Sequence, residues 1–384
     1  MDNNRRFIVL GNYFGFVVMG MIVISFGAIM PDIRSTFDLS YEQGGLMLSI
    51  FSLSYLLNGL LGGVLSDRIG LKKTITLGNS LYVVGLLGIA ASNSVWMLFL
   101  GIGITGMGWG YCNTAINVLI NEISDGDGNA MSLLHMSFGI GAFVIPLIFS
   151  IFLRLDMTWQ HMMAFLAFMA LIALILSGWM DIPRKTKSEL KVRRDKGKRS
   201  WPMMLLFMGI LFFYVGSENA FSGWMVTYLT TAVSFSESGA QNMLSTLWLM
   251  VIVGRIVSGK VSRSVSPATL TFFMSLGALL AMLLFIGTSS PYAIGLSIVM
   301  VGLMFSGIYP LTMANANSII KGSATSSAIV IAGGGLGSTI LPYVTGKIAD
   351  TWGTAAIIYA IIATLSAMVI LTGINRFFAK KTTI

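Results

Sequence analysis

Gly139-Ile140-Gly141-Ala142-Phe143-Val144-Ile145-Pro146 recurs, 196 residues later, as Gly335-Leu336-Gly337-Ser338-Thr339-Ile340-Leu341-Pro342. Two other echoes keep the same order. Met47-Leu48-Ser49 returns as Met243-Leu244-Ser245, and Tyr111-x-x-Thr114-x-x-Asn117 returns, shifted by two more, as Tyr309-x-x-Thr312-x-x-Asn315. Each match alone is weak in so apolar an alphabet; three in one order at nearly one offset point to a duplicated unit. A duplicated membrane bundle places its binding site where the repeats face each other, near the bilayer midplane.

Composition agrees that lipid is the solvent. Hydrophobic residues make up 55% and charged residues 10% of the chain, against roughly 25% charged in soluble domains. Twelve segments reach the ~20 apolar residues that a spanning helix needs: 8–30, 44–66, 74–93, 95–120, 130–153, 160–181, 203–230, 239–258, 268–287, 291–317, 325–347 and 354–375. The N-terminal run has no small-residue cleavage site and reads as the first span rather than a removable signal. An even number of spans puts both termini on one side. One set of loops carries 21 of the 24 Lys and Arg, and the other carries Arg34, Arg154 and Lys347. That asymmetry places both termini in the cytoplasm.

Nine of those basic residues lie between Arg184 and Arg199. The net charge of +9 therefore reads as a topogenic linker against anionic headgroups, not as a nucleic-acid surface. The expected organisation is an N-terminal six-helix half (1–183), a basic cytoplasmic linker (184–200) and a C-terminal six-helix half (201–384). The lone cysteine, Cys112, and two histidines, His135 and His161, give no disulfide and no metal spacing. Neither a nucleophile–base pair nor a phosphate-cradling glycine loop is present, so an enzyme and an ATP-driven pump are both disfavoured. No cofactor is expected, and the chain is expected as a monomer in a bacterial cytoplasmic membrane.

Between the second and third spans, Gly63-Val64-Leu65-Ser66-Asp67-Arg68-Ile69-Gly70-Leu71-Lys72-Lys73 resembles the cytoplasmic signature loop of the major facilitator superfamily. The resemblance implies a cytoplasmic gate built from Gly63, Asp67, Arg68, Gly70, Lys72 and Arg255. Asp67 would pair there and release as the halves rock. The second-half counterpart is degenerate, with Arg263 in place of the aspartate, and Gly254-Arg255 just before it resembles another common feature of the family at the end of the eighth span.

Of 15 acidic residues, one falls well inside a span: Glu218, in Tyr214-Val215-Gly216-Ser217-Glu218-Asn219. A carboxylate there costs several kcal/mol unless protonated, paired or wetted, which makes Glu218 the candidate proton carrier; its bland alternative is a hydrogen bond to Tyr or Asn that only fixes helix contacts. No basic residue is expected at its depth. Amides and aromatic rings complete the mid-membrane set: Asn113 and Asn117 on one helix face, Trp109, His135, Asn219, Trp224, Tyr228, Tyr309 and Asn315. Amides bond hydroxyls and rings stack on sugar C–H faces, so these residues are expected to bind a neutral polyhydroxyl solute.

Within the superfamily, the Tyr214-x-Gly216-x-Glu218 run with Trp224, the Gly108–Asn117 stretch and the Leu133–Pro146 stretch are similar to the fucose/glucose–proton symporter branch. That resemblance implies uptake of a sugar or polyol coupled to protons by alternating access. That branch commonly carries a glutamate in the fourth span where this chain has Asn113. Either Glu218 then carries the proton alone, or transport is uncoupled, or the solute is not a sugar. A drug or metabolite exporter of the same superfamily is the alternative, supported by 26 Met and 24 Phe, which make adaptable apolar pockets. A ligand sensor on the same fold is a third reading.

Overall fold

A computed structural model of the chain describes residues 3–182, 201–320 and 324–381. Its ordered elements are all helical: α1 (Asn3–Ala28), α2 (Met30–Phe37), α3 (Tyr41–Ile69), α4 (Leu71–Ala90), α5 (Val95–Ile123), α6 (Gly128–Arg154), α7 (Trp159–Trp179), α8 (Trp201–Thr231), α9 (Glu237–Val261), α10 (Pro267–Ile286), α11 (Pro291–Ile320), α12 (Ala324–Trp352) and α13 (Ala355–Lys381). Twelve of them, all but α2, are long and apolar enough to cross a bilayer. Each matches a segment expected from sequence, usually extended by a few residues because polar turns at the ends continue the helix. The basic linker 184–200 lies outside the described residues.

Helix α2 was not expected. Pro31 at its start fixes a helical φ, Asp32 sits in its first turn and Asp38 closes it in the left-handed region (φ 50°). Ile33 is fully buried, and Thr36 Oγ1 accepts from Trp159 Nε1 at 3.0 Å, so this short amphipathic helix is held against the start of α7.

Contacts divide the described chain into two compact units. The first holds the first six spans without Ser40–Leu46, together with Glu237–Ser245; the second holds the last six spans without Glu237–Ser245, together with Ser40–Leu46. In the first unit α1 packs on α6 and α7, and α4 packs on α5 and α7. In the second, α8 packs on α12 and α13, and α10 packs on α11 and α13. The neighbour pattern repeats at the offset the sequence showed.

The opening octapeptide explains why. A Cβ at Gly141 would run into the Val17 carbonyl of α1, and one at Gly337 into the Phe212 carbonyl of α8. Each glycine lets two helix backbones touch, as small residues do in membranes. Five residues on, Pro146 and Pro342 lie inside their helices, where a missing amide favours a bend.

Candidate functional site

The second unit positions Glu218 on α8, and three faces of that helix have distinct jobs. Gly216 lies against Gly337 and Leu341 of α12. Ser217 Oγ shares a 2.7 Å hydrogen bond with Thr364 Oγ1 of α13. Tyr214 and Glu218, one turn apart, share the remaining face. Tyr214 is buried with its ring edge-on to Phe305 of α11, centroids 5.8 Å apart, and its hydroxyl donates to Glu218 Oε1 at 2.6 Å. The charge of Arg255, from α9, acts on both Tyr214 and Glu218. Tyr309 of α11 also acts on Tyr214. Arg255 thus brings a positive charge to act on Glu218, where the sequence reading expected no basic residue at that depth.

The other expected second-unit residues separate from this cluster. Asn219 spends an amide hydrogen on its own helix, to Val215 O at 2.9 Å. Trp224 is fully buried; its Nε1 reaches Pro342 O at 3.4 Å and its ring lies 5.8 Å from that of Tyr41. Tyr228 packs on Phe285 at 5.3 Å. These rings are six and ten residues beyond Glu218, about 9 and 15 Å along the helix. Asn315 Nδ2 donates to Asn375 Oδ1 at 3.1 Å, tying α11 to α13. Tyr309 is half-buried against the apolar cluster of Phe207, Ile210, Leu211, Ala316 and Val330.

In the first unit, α5 brings Trp109, Asn113 and Asn117 to one side, facing α3. Trp109 stacks on Tyr55 (3.8 Å between centroids, 19° between planes) and on Phe51 (5.0 Å, 18°). Asn113 Nδ2 reaches Tyr55 OH at 3.4 Å, and Asn117 Nδ2 donates to the Asn113 carbonyl at 2.7 Å and to Asn113 Oδ1 at 3.3 Å. A Cβ at Gly106 or Gly110 would strike α3 backbone atoms, so these glycines bring the aromatic stack together. His135 is exposed on α6, its ring edge-on to Phe16 at 6.0 Å. Sequence reasoning missed Phe51 and Tyr55, because an aromatic in a span carries no sign of which helix it will face.

The loop residues are placed more simply. Asp67 and Arg68 are exposed at the end of α3, without an ion pair to another described residue. Gly70 adopts φ +90°, a left-handed conformation that only glycine takes readily, and it starts α4. A side chain at Gly63 would meet nothing within 4 Å, and Lys72 is half-buried. No group of three His, Cys, Asp or Glu side chains capable of holding a metal occurs among the described residues.

The chain resembles proteins called TsgA homologues. It is 21% identical over 359 residues to the one from Yersinia enterocolitica, covering 92% of this chain and 91% of that protein, and 22% identical over 359 residues to the one from Serratia proteamaculans, with the same coverage. Among solved structures, a bacterial homologue of the human lysosomal transporter Spinster, inward-facing and occupied, matches with TM-score 0.83 at 16% identity, covering 100% of this chain and 98% of that one. A D-xylose–proton symporter matches with TM-score 0.76 at 15% identity over 94% and 96%. The nucleoside transporter NupG matches with TM-score 0.78 at 14% identity over 96% and 98%. The sequence profile of the Major Facilitator Superfamily spans residues 13–329, and the chain belongs to that family of membrane transporters.

Proposed function

We propose that the protein is a secondary transporter that carries a small neutral polar solute, a sugar or polyol, by alternating access, and that Glu218 couples the movement to protons. The observation that carries this reading is the Tyr214–Glu218–Arg255 cluster. A carboxyl group deep in a span takes either charge state there: Arg255 offsets the carboxylate, and the Tyr214 hydroxyl donates to it at 2.6 Å. Such a group can load and release one proton per cycle without leaving an isolated charge in the membrane. The solute class rests on the first unit, where the Trp109–Tyr55–Phe51 stack borders the Asn113–Asn117 amides. Likeness in fold to a xylose–proton symporter supports this reading, as does the run around Glu218 that resembles the fucose/glucose–proton branch.

Arg255 favours one second reading, a solute bearing an acid group. With Glu218 protonated, the positive charge of Arg255 would attract such an anion, and amide donors would serve as its secondary contacts.

Proteoliposomes separate these readings. Sugars, polyols and their acid derivatives are added in turn while external pH is followed, for wild type and Glu218→Gln. A sugar or polyol that drives external alkalinisation in wild type, with the response lost in Glu218→Gln while exchange of the labelled solute survives, supports the proposal. A response to acid derivatives alone selects the second reading, and silence from wild type with every solute overturns both.

A further inference from the structure

Where α10 begins and α13 ends, the second unit holds an arginine that solute transport does not use. As the ninth and twelfth spans the two helices run in opposite directions, so the start of one meets the end of the other. Gly373 of α13 faces Phe272 of α10, where a Cβ would lie 3.4 Å from the ring. Asn375 is buried and tied to Asn315 of α11. That bond fixes the rotation of α13 and turns the next residue, Arg376, toward α10. Its guanidinium carbon lies 5.2 Å from the ring centre of Phe272 and 4.8 Å from that of Phe273. The two rings meet edge to face, 5.5 Å apart at 66°. Both guanidinium distances fall within the ~6 Å at which a ring face attracts a cation, so the group is held in place.

The rings position this charge without neutralising it. A guanidinium offers five N–H donors. Among the described residues none accepts a hydrogen bond from Arg376, and its buried Nε has no partner. No described carboxylate pairs with it either. The sequence explains why. From Thr246 to Ile384 there are eight Lys and Arg and one acidic residue, Asp350. Asp350 lies just before the opposite end of α13, roughly 30 Å away by helical rise. The surface around Arg376 is apolar instead: Phe273, Ile370, Ile374 and Phe377 are all exposed. On a membrane span such a surface meets acyl chains, and aromatic rings near a span's end mark headgroup depth. The charge asymmetry of the loops makes this end the cytoplasmic one, the leaflet in which basic pockets between helices meet anionic headgroups.

We propose that Arg376, held by Phe272 and Phe273, anchors a binding site for one anionic glycerophospholipid. The guanidinium takes the phosphodiester, whose oxygens match its planar fork, and the acyl chains lie along Phe273, Ile370 and Ile374. The proposal rests on neither the identity of the solute nor Glu218.

The test is lipid binding to the full-length protein in detergent, counted by native mass spectrometry as phosphatidylglycerol or phosphatidylcholine is titrated in. Wild type should take up one phosphatidylglycerol in preference to phosphatidylcholine. Arg376→Gln should weaken that first binding roughly tenfold, the scale of losing hydrogen bonds to a charged group. Binding of phosphatidylcholine should not change. Arg376→Lys keeps the charge without the planar fork; it should weaken binding partially, and it decides the matter if Arg376→Gln does not fold. Arg263→Gln removes an exposed basic residue from the loop before α10 and should bind as wild type does. Wild-type affinity in the deciding Arg376 variant would overturn the site. An equal loss in Arg263→Gln would also overturn it, since diffuse charge would then account for the preference. So would displacement of the lipid by glycerol 3-phosphate at equal concentration, which would mark a pocket for soluble phosphates. None of these readouts uses a solute or a pH gradient, so a failure of solute-driven proton movement leaves the result standing.

Discussion

Tyr214 donates a 2.6 Å hydrogen bond to Glu218 from one turn earlier on α8, in a buried position that offers the phenol little room to turn elsewhere. A hydrogen bond to a charged acceptor contributes about 1.5–3 kcal/mol. Removing it with Tyr214→Phe keeps the ring's packing on Phe305 and takes away the donor alone. Proton-driven accumulation of the solute should fall about tenfold or more, while exchange of labelled solute across the same liposomes changes little. Initial rates of the two processes, measured side by side, check this. Equal losses in both would make Tyr214 a packing residue.

Arg255 and Glu218 should behave as a pair. Removing one member of a partly buried pair leaves the other uncompensated, whereas removing both costs less. Arg255→Gln and Glu218→Gln should each lower the thermal midpoint of the purified protein, and the double variant should lie above the sum of the two losses. A strictly additive double variant would show that the two groups do not share a field.

The twelve spans were legible because lipid leaves a long apolar helix or a closed barrel as the ways to cross it, and length and charge alone then mark the segments. Directions within the bundle were not legible. Trp224 and Tyr228 share a helix with Glu218, yet their rings lie against Pro342, Tyr41 and Phe285 rather than beside it. Arg255 read as a loop residue because it sits close to the end of a span; a long guanidinium side chain can reach well back along its helix. Tyr55 and Phe51 needed Trp109 to give them meaning, and only the close approach at Gly106 and Gly110 brings them together. Helix α2 was missed because eight residues with mixed polarity show neither a span nor a long periodic face.

Glycine substitutions should separate contact from composition. At Gly141 and Gly337 a new Cβ meets a backbone carbonyl of the neighbouring helix, which cannot move aside as a side chain can. Overpacking of this kind costs about 1–3 kcal/mol, so Gly141→Ala and Gly337→Ala should each lower the thermal midpoint. At Gly63 and Gly259 nothing lies within 4 Å, and alanine there should change stability by no more than about 0.5 kcal/mol. Thermal unfolding of the four variants in one detergent checks the contrast. Similar midpoints across all four would mean that helix packing adapts to a methyl group at the close contacts.

Asp32, on α2 outside the spans, should give the protein an acid-favoured component of stability. Burial is the larger cause and the neighbouring charge of Glu237 the second; together they raise its carboxyl from the ordinary 3.8 to about 6. The folded protein then binds a proton that the unfolded chain has already lost between these values. With the folded-state value raised, this contribution is complete below about pH 4 and declines as pH rises through 6. Asp32→Asn mimics the protonated group at every pH. It should therefore match wild type near pH 4 and exceed it above pH 6, by roughly 2–3 kcal/mol at most. Thermal midpoints of the two proteins at intervals from pH 4.5 to 8 check the sign. A variant less stable than wild type at pH 7.5 would show that the charged form of Asp32 is the one the fold prefers.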